Sequence, residues 1–447
     1  DLDNLVHEDY ESVVEILLDP ESTDETDMFE LYRHLPQAES PWNVLHAQTD
    51  WIYRMRNGAR PLQEKMALFW HYVFATGASK VEQSSQMAHQ IAMFRKIGMG
   101  NYRELLIELA KNPAMIFWLD NQLNNKRAPN ENWGRELLEL FSMGVGNYTE
   151  SDVYECSRAF TGWSFESSIP AQPFGQFPWA FCYRPEDHDG GEKSFLGHTG
   201  RFNGEDIIDI IVRQPSCAKF ICRHLYNFFV EEEPQVPAWQ MEPPKNPEAI
   251  ELMVETFVAS GYEIKPVLRL LFNSDFFKDA TYRKVKSPLE VVVGTLKLTG
   301  ALDQPDPDWG LIGLEPERMG QNLLDPPSVE GWHTGKEWIN SGALMKRVNF
   351  VADYVRRTEL PGNRRNVQWV IDQSSNGNTM SAENLVDHCL ELMGPLEVSD
   401  TTKGNLYADA AIDGDISWQT EDGKTEMALR VGNVMALIAG TREYQFG

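Results

Sequence analysis

The sequence has few cysteines, no long apolar run and no cluster of basic residues. Its 447 residues include five cysteines and no C-x-x-C pair, which argues against a disulfide framework and a zinc ribbon. No apolar stretch approaches the roughly 18 residues that a membrane-spanning helix needs. The 67 acidic and 40 basic residues give a formal net charge of −27. Because phosphate neutralisation needs clustered Lys and Arg, these features argue against sequence-independent nucleic-acid binding.

Several catalytic signatures are also missing. The chain has no Walker P-loop, no dinucleotide-binding glycine fingerprint, no G-x-S-x-G elbow and no H-E-x-x-H pair. Enzymes that cradle phosphate groups and zincin proteases are therefore disfavoured, and the sequence identifies no cofactor. The chain begins at Asp1 rather than at Met, so we expect an upstream segment, either a removed export signal or a boundary introduced by cloning.

What is present is a helical pattern along most of the chain. In residues 287–300, Ser287 is a predicted N-cap, Pro288 the first helical residue, Glu290 the partner in a capping box and Gly300 the stop. Since strand alternation is nowhere sustained, we predict an all-α, multi-helical protein, with residues 1–447 as one globular domain and an α/α toroid as the alternative. The other predicted helices cover about 8–19, 42–57, 61–76, 82–97, 101–111, 131–143, 150–161, 204–213, 215–230, 246–261, 264–273, 346–357, 382–393 and 425–439.

Three segments interrupt this pattern. Residues 163–202 and 301–345 are predicted to be long irregular loops, and residues 397–424 a polar and acidic surface excursion. Irregular loops of this length are uncommon in compact domains and often carry function. The first two segments are therefore where we expect chemistry.

The most distinctive candidate site lies in the segment 129–163. On a helical wheel, Asn132, Arg135, Glu136 and Glu139 share a polar face opposite an apolar arc. The two glutamates stand at i and i+3, which places their Cβ atoms about 5–6 Å apart and lets both carboxylates meet one substrate or one metal ion. A solvated ladder of ion pairs is the alternative. Because glycosidase carboxylates flank the scissile bond from two sides, cleavage of a sugar would need a partner from elsewhere.

The loop at 183–200 offers such a partner. His188 can titrate near neutral pH, Asp189 can orient it or act as a base, and Lys193 can stabilise developing negative charge. The alternative is an acidic turn in which the histidine and the lysine pair with neighbouring carboxylates.

Single aromatic and histidine residues complete the set of candidates. His71 lies in LFWHYVF, an almost wholly apolar helix. It is either a core residue or a catalytic candidate that binds a metal or transfers a proton together with a glutamate from helix 131–143. Trp332 and Trp338 lie in PPSVEGWHTGKEWIN and either stack on a sugar ring or anchor the loop.

Taken together, several motifs resemble one known family, the bacterial domain of unknown function 1800. They occur in the family's order along almost the whole chain, with one departure: Val73 stands where the family often has a second histidine. The motifs are WH at 70–71, NPAM at 112–115, NENWGRELLELFSMGVGNYTESDV at 130–153, AFTGW at 159–163, HDGGEKSFLG at 188–197, KSP at 286–288, PPSVEGW at 326–332 and EYQF at 443–446.

This resemblance implies a mostly helical, usually exported protein that is commonly encoded beside a family similar to sulfatases. It implies no established activity. The positions that match its motifs and carry polar or special side chains are His71, Asn130, Glu131, Asn132, Arg135, Glu136, Glu139, His188, Asp189, Lys193, Gly331 and Trp332.

Three hypotheses follow from the sequence. The leading one is an extracytoplasmic hydrolase or lyase acting on a polysaccharide or a similar polar polymer, with Glu136 or Glu139 as acid or base and His188 with Asp189 completing the proton relay. In it, Asn132, Arg135 and Lys193 bind substrate, and Trp332 or Trp338 stacks on it. The second is a non-catalytic secreted binding or scaffold protein with a sulfatase-like partner. The third is a metal protein that uses His71 with carboxylates.

Overall fold

Helices dominate the computed structural model, which describes residues 8–39, 41, 43–81, 83–167, 179–303, 307–374, 377–394 and 396–447. Within these residues the chain forms 22 α-helices and three two-stranded antiparallel sheets, so the predicted all-α class is confirmed. No helix in the described part of the chain is long and apolar enough to cross a membrane.

The first fifteen α-helices precede residue 282. They are α1 (Tyr10–Leu18), α2 (Phe29–His34), α3 (Val44–Asn57), α4 (Pro61–Val73), α5 (Ala78–Val81), α6 (Ser84–Ile97), α7 (Tyr102–Lys111), α8 (Pro113–Trp118), α9 (Asn132–Glu139), α10 (Glu150–Ala159), α11 (Gly204–Val212), α12 (Pro215–Phe229), α13 (Pro247–Ala259), α14 (Ile264–Asn273) and α15 (Asp275–Lys278).

The remaining α-helices follow in the C-terminal third. They are α16 (Pro288–Thr299), α17 (Leu314–Arg318), α18 (Ser341–Val355), α19 (Pro361–Asp372), α20 (Ala382–Leu392), α21 (Asp400–Ala410) and α22 (Glu421–Ala439). Short 3₁₀ segments lie at Pro20–Ser22, Pro36–Ala38, Asn121–Leu123, Val236–Gln240, Pro307–Leu311, Gly335–Ile339, Ala411–Asp413 and Glu443–Gln445.

Local capping explains why the predicted helices form where they do. At α16, the Ser287 hydroxyl accepts from the Glu290 backbone N–H, the Glu290 carboxylate accepts from the Ser287 backbone N–H, and Gly300 adopts a left-handed φ of 65°. These contacts satisfy donors that the first helical turn leaves without intrahelical partners. Each helix predicted from the sequence is present, and its ends shift by only a few residues.

The two predicted loops are more structured than expected. The first contains β1 (Trp163–Ser167) paired with β2 (Trp179–Tyr183), and β3 (Lys193–Phe195) paired with β4 (His198–Gly200). Residues 168–178 of that loop lie outside the described residues. The second contains α17 and two 3₁₀ segments. Strands of three to five residues are too short for alternation to show against a helical background.

The predicted surface excursion at 397–424 is also largely helical. Ser399 caps α21 by accepting from the Thr402 backbone N–H, and β6 (Ile416–Ser417) pairs with β5 (Thr379–Met380). A hydrophobic pattern does not reveal α21 because its buried residues are only Leu406 and Ala410.

Packing divides the chain into two compact units. The first comprises residues 1–54, 58–281 and 323–333, and the second comprises residues 55–57, 282–322 and 334–447. The prediction that residues 1–447 form one domain stays a prediction.

The core of the first unit is built around α4, which is buried along nearly its whole length. The Trp70 indole stacks on Phe74 at 5.0 Å and donates to the Gly98 carbonyl oxygen at 2.7 Å. Buried indoles usually have such a partner because an unpaired donor in the core is costly. The helix that carries His71 is therefore rigidly held.

The core of the second unit contains a buried arginine. Arg347 is 1% exposed, donates from Nε to the Gln445 side chain at 2.9 Å and from Nη2 to the Lys286 carbonyl oxygen at 2.7 Å. These bonds tie α18 to the segment before α16 and to the C-terminal 3₁₀ turn.

Candidate functional site

The candidate site is built on α9, whose sequence separates an apolar and a polar face. Trp133, Leu137 and Leu138 are buried, whereas Glu136 and Glu139 are partly exposed, as the helical wheel predicts. The helix ends at Glu139 rather than at residue 143. This early end leaves the two glutamates on the last turn of a short, well-anchored helix.

A glycine sets the position of α9. A Cβ atom at Gly134 would lie 2.3 Å from the Ser157 hydroxyl oxygen and 3.0 Å from the Val153 carbonyl oxygen. Any larger residue would therefore push α9 away from α10. Close contact between these two helices holds the polar face of α9 in a defined orientation.

Glu139 has a hydrogen-bond donor of its own. The Tyr148 hydroxyl donates to Glu139 Oε2 at 2.9 Å. The chain returns to make this contact because Gly144 and Gly146 adopt positive φ angles of 79° and 91° between the two residues. Burial and the neighbouring Glu139 carboxylate raise the pKa of Tyr148, so its hydroxyl keeps its proton.

Glu136 lies in a different environment. Its carboxyl group is half-buried and makes no hydrogen bond to any of the residues that the structure describes. Burial, followed by the charges of Glu139 and Glu330, raises the pKa of Glu136 to about 7, although Arg135 opposes the shift. Desolvation and like charges both disfavour the ionised form, so Glu136 exchanges a proton near neutral pH.

Arg135 is already engaged by acidic neighbours. Its guanidinium group donates to Glu131 at 3.2 Å and to Glu150 at 3.0 and 2.7 Å. Part of the predicted ion-pair ladder is therefore present, while Glu139 turns to Tyr148 instead. The predicted role of Arg135 in binding substrate would require it to exchange one of these partners.

A row of polar residues continues from Asn132 on α9, and two of its members, Lys80 and Asp120, were not predicted from the sequence. The Lys80 ammonium group donates to Asp120 at 2.8 Å and to the Trp118 carbonyl oxygen at 2.7 Å, and the Asn132 amide lies 3.5 Å from the same carboxylate. Asp120 adopts a left-handed φ of 58°. Such strain in a non-glycine residue is found preferentially at functional sites.

His71 lies in the core and acts through the backbone. Its side chain is 0% exposed, and Nε2 accepts from the Leu324 backbone N–H at 3.0 Å. Burial lowers the pKa of His71 to about 3, so the ring is neutral. Leu324 has a left-handed φ of 62°. His71 thus supports the strained start of the segment 323–333, which carries Glu330.

The loop that contains His188 forms a local structural network. His188 Nδ1 donates to the Thr161 carbonyl oxygen at 2.9 Å, and the Thr161 hydroxyl accepts from the Asp189 backbone N–H at 2.8 Å. The Asp189 carboxylate accepts from Arg158 at 2.8 Å. The charged partner of Asp189 is therefore Arg158, whereas His188 bonds to a backbone oxygen and not to a neighbouring carboxylate, as the acidic-turn alternative expected.

Lys193 completes this network by bonding to backbone carbonyl oxygens of the same loop. It is 1% exposed and donates to the Gly191 carbonyl oxygen at 3.2 Å and to the Asp189 carbonyl oxygen. Burial lowers the pKa of Lys193. Among the described residues, no hydrogen bond or ion pair joins His188, Asp189 or Lys193 to the glutamates of α9.

The two candidate tryptophans are buried. Trp332 is 2% exposed and packs edge-on against His71 at 5.2 Å, and Trp338 is 9% exposed. Their rings lie in the protein interior, as the loop-anchor alternative predicts. Flat exposed stacking surfaces for a sugar are therefore not formed by either residue, because the Pro- and Gly-rich loop folds its aromatic side chains inward.

No metal-ligand cluster is found in the part of the chain that the structure describes. There, no group of three or more His, Cys, Asp or Glu side chains could hold a metal ion. His71 uses Nε2 to accept the Leu324 N–H. All five cysteines are free, and four of them are buried.

Comparison with known protein families identifies the chain. A family model described as a protein of unknown function, DUF1800, matches residues 1–446. The chain belongs to the DUF1800 family. No curated protein and no solved structure matches it. The family predicted from the sequence motifs is thus confirmed for this DUF1800 protein.

Proposed function

We propose that this DUF1800 protein is an enzyme that acts on a glycan or a similar polar polymer by acid–base catalysis at Glu136. The observation that carries the proposal is a half-buried carboxyl group without a hydrogen bond among the described residues, one helical turn from a second carboxyl group that has one. Pairs of titratable groups in unequal environments are typical of acid–base catalysis.

In this proposal Glu136 is the proton donor. A carboxyl group with a pKa of about 7 is substantially protonated at neutral pH, and it can give its proton to the oxygen of a leaving sugar. Glu139, held by Tyr148, keeps a fixed position beside it. Its negative charge helps Glu136 to regain a proton after each turnover.

The second catalytic carboxylate is Glu330. Two carboxylates on one helix cannot flank a glycosidic bond well, because the bond must pass between groups about 5–10 Å apart on opposite sides. Glu330 comes from another segment, is exposed, and lies close enough for its charge to raise the pKa of Glu136. In this proposal Glu330, and not the 183–200 loop predicted from the sequence, is the partner from outside the helix that cleavage of a sugar requires.

Other polar groups would bind the polymer. Asn132 is exposed one turn before Glu136, and Lys80 with Asp120 continues the row. Amide, ammonium and carboxylate groups in a row suit the hydroxyl groups of successive sugar units. His188 and Asp189 have no part in this version of the mechanism because their polar groups serve the turn.

We further propose an extracytoplasmic location. The support is the family resemblance to exported proteins and the net charge of −27, which suits a protein exposed to solvent. A polysaccharide substrate outside the cell is consistent with that location. A sulfatase-like partner is proposed on the resemblance alone.

The test is a comparison of two glutamine variants on a panel of polysaccharides. Wild-type protein should release reducing ends from a hydrolysed polymer, or unsaturated ends if the reaction is an elimination. Glu136→Gln should lose about 10²–10⁴-fold of this activity while staying folded. Glu150→Gln, which alters an exposed carboxylate paired with Arg135, is the control and should stay active. Equal activity of wild type and Glu136→Gln would refute the proposal.

A further inference from the structure

A concave site lies in the first unit, formed by α12, α13 and the turn that follows α9. Its cavity volume is about 360 Å³, which is within the range of small-molecule pockets and near its lower end. The walls combine prolines and aliphatic side chains with a few polar groups. The residues used below are Asn147, Ser216, Lys219, Phe220, Trp239 and Gln240.

The aromatic wall of the pocket is rigid. Phe220 and Trp239 meet edge to face at 5.4 Å, and the Arg223 guanidinium group lies 4.5 Å from the Trp239 ring centre. Arg223 is itself fixed by Glu233 in a buried ion pair at 2.6 Å. Because Glu233 neutralises the Arg223 guanidinium group, Arg223 packs against the pocket wall without giving the pocket a net charge.

A buried histidine lies directly behind this wall. His224 is 2% exposed, its ring centre is 4.6 Å from those of both Phe220 and Trp239, and neither ring nitrogen has a hydrogen-bond partner among the described residues. Orphaned polar atoms in a core need an explanation. Here the ring supports the aromatic wall, and no contact links it to Glu136.

Neutral polar groups and one ion pair line the rest of the pocket. The Asn147 amide nitrogen donates to Met143 and Gly144 carbonyl oxygens at 2.9 and 3.2 Å, which leaves Oδ1 as an acceptor. The Ser216 hydroxyl and the Gln240 amide add a donor and an acceptor each. Lys219 pairs with Glu251 at 3.7 Å, so this charge is also balanced.

One wall of the pocket is formed by the backbone of the turn at Gly144 and Gly146, where a side chain would not fit. A Cβ atom on Gly144 would lie 3.0 Å from Phe220, and one on Gly146 would lie 2.7 Å from Gln240. The turn that carries these glycines joins Glu139 to Tyr148. The pocket therefore shares a wall with the segment that closes on the candidate catalytic pair.

We propose that this pocket binds one or two neutral pyranose rings. A pyranose offers an apolar C–H face to the aromatic and proline walls, and hydroxyl groups to the Asn147, Ser216 and Gln240 side chains. Charged ligands are disfavoured because both cations of the pocket already have acidic partners. The inference rests on the proposed function and deepens it, since it identifies a binding subsite for the polymer close to the acid–base pair.

The experiment measures binding of glucose, galactose, N-acetylglucosamine and cellobiose by saturation-transfer NMR and by tryptophan fluorescence. Wild-type protein should bind at least one of them with a Kd of about 1 mM or tighter. Ser216→Phe, which fills the pocket, should weaken binding at least about tenfold. Ser341→Phe, at the equivalent first turn of α18 and outside the pocket, should bind as wild type does.

A milder variant guards against misfolding. Gln240→Ala removes one exposed polar partner and should weaken binding several-fold with an unchanged unfolding midpoint. Equal affinities of wild type, Ser216→Phe and Gln240→Ala would overturn the proposal. So would binding of an uncharged apolar dye such as Nile red in the pocket without binding of any sugar.

The two proposals fail in different ways. If Glu136→Gln abolishes turnover and Ser216→Phe changes neither sugar affinity nor KM, the pocket proposal fails and the catalytic one stands. If sugars bind the wild type and not Ser216→Phe, but no polymer is cleaved, the catalytic proposal fails and the pocket remains a sugar site.

Discussion

The Tyr148 hydroxyl donates a 2.9 Å hydrogen bond to Glu139, and Glu136, one helical turn earlier, has no such donor among the described residues. Two chemically identical side chains on one helix face are thereby placed in unequal environments. Such inequality separates the roles of paired carboxylic acids in acid–base enzymes. The contact also closes the turn that contains Gly144 and Gly146.

Glu136 should titrate near pH 7. Its folded pKa of about 7 exceeds the ordinary value of 4.5, so between pH 4.5 and 7 the native state binds more protons than the unfolded state. The contribution of Glu136 to the free energy of unfolding is therefore greatest below pH 4.5 and is lost as the pH rises through 7. Glu136→Gln should therefore gain about 1–2 kcal/mol relative to wild type at pH 8, after allowance for solvent screening.

Carbon-13 NMR of the glutamate side chains and urea unfolding at pH 4 and pH 8 would measure both effects. Glu150→Gln should leave the Glu136 titration close to that of wild type, because Glu150 is not among the charges that shift it. A Glu136 midpoint near 4.5 would contradict the prediction.

Tyr148→Phe should destabilise the protein by about 1 kcal/mol, because a hydrogen bond to a carboxylate in a half-buried site is lost. The loss should persist into alkaline solution, since the raised pKa of Tyr148 keeps the hydroxyl protonated there. Urea unfolding of this variant would be compared with Tyr154→Phe, which alters a tyrosine that is 44% exposed. Equal stabilities of the two variants would show that the contact does not hold the turn.

The two buried histidines should behave differently on replacement. Burial lowers the pKa of both His71 and His224 to about 3, against 6.5 ordinarily. The unfolded state therefore binds more protons between pH 6.5 and 3, and stability present above pH 6.5 is lost as pH falls, by up to about 1.4 kcal/mol per pH unit for each histidine.

His71→Leu removes the acceptor of the Leu324 N–H and should cost about 1–3 kcal/mol at pH 7. His224→Phe removes a ring without partners and should cost less. Both variants should show a shallower loss of stability in acid. Unfolding midpoints at pH 5 and 7 test this, and a greater loss at pH 7 for His224→Phe would reverse the assignment of roles.

Asp189→Asn should weaken the turn at 188–193 without affecting the α9 pair. The carboxylate accepts two hydrogen bonds from Arg158 and one from the Gly191 backbone N–H, so its replacement should cost about 1–3 kcal/mol. The pKa of Glu136 should be the same in Asp189→Asn as in wild type. Glu192→Gln, at an exposed position of the same turn, is the control; a shifted Glu136 midpoint in Asp189→Asn would restore this turn to the catalytic site.

Local sequence determined most of the helices and the polar face of α9. The capping residues around α16 and the apolar arc of α9 involve contacts between residues three or four positions apart. Such short-range contacts can be predicted from the sequence alone. The same locality predicted that Glu136 and Glu139 would lie together. It also favoured a wholly irregular 163–202, since the short strands there depend on pairing partners elsewhere in the segment.

Only the tertiary structure decided which residues join the glutamates. Tyr148 contacts Glu139 because the turn that contains Gly144 and Gly146 brings the chain back. Glu330 is far from Glu136 in the sequence, yet its charge raises the pKa of Glu136. Trp332 is likewise buried in the core, so it does not form the exposed stacking surface that its position in a loop suggested. Spacing along a helix encodes contacts one turn apart, whereas desolvation and long-range contacts arise only when distant segments pack together, and these set the proton affinity of Glu136.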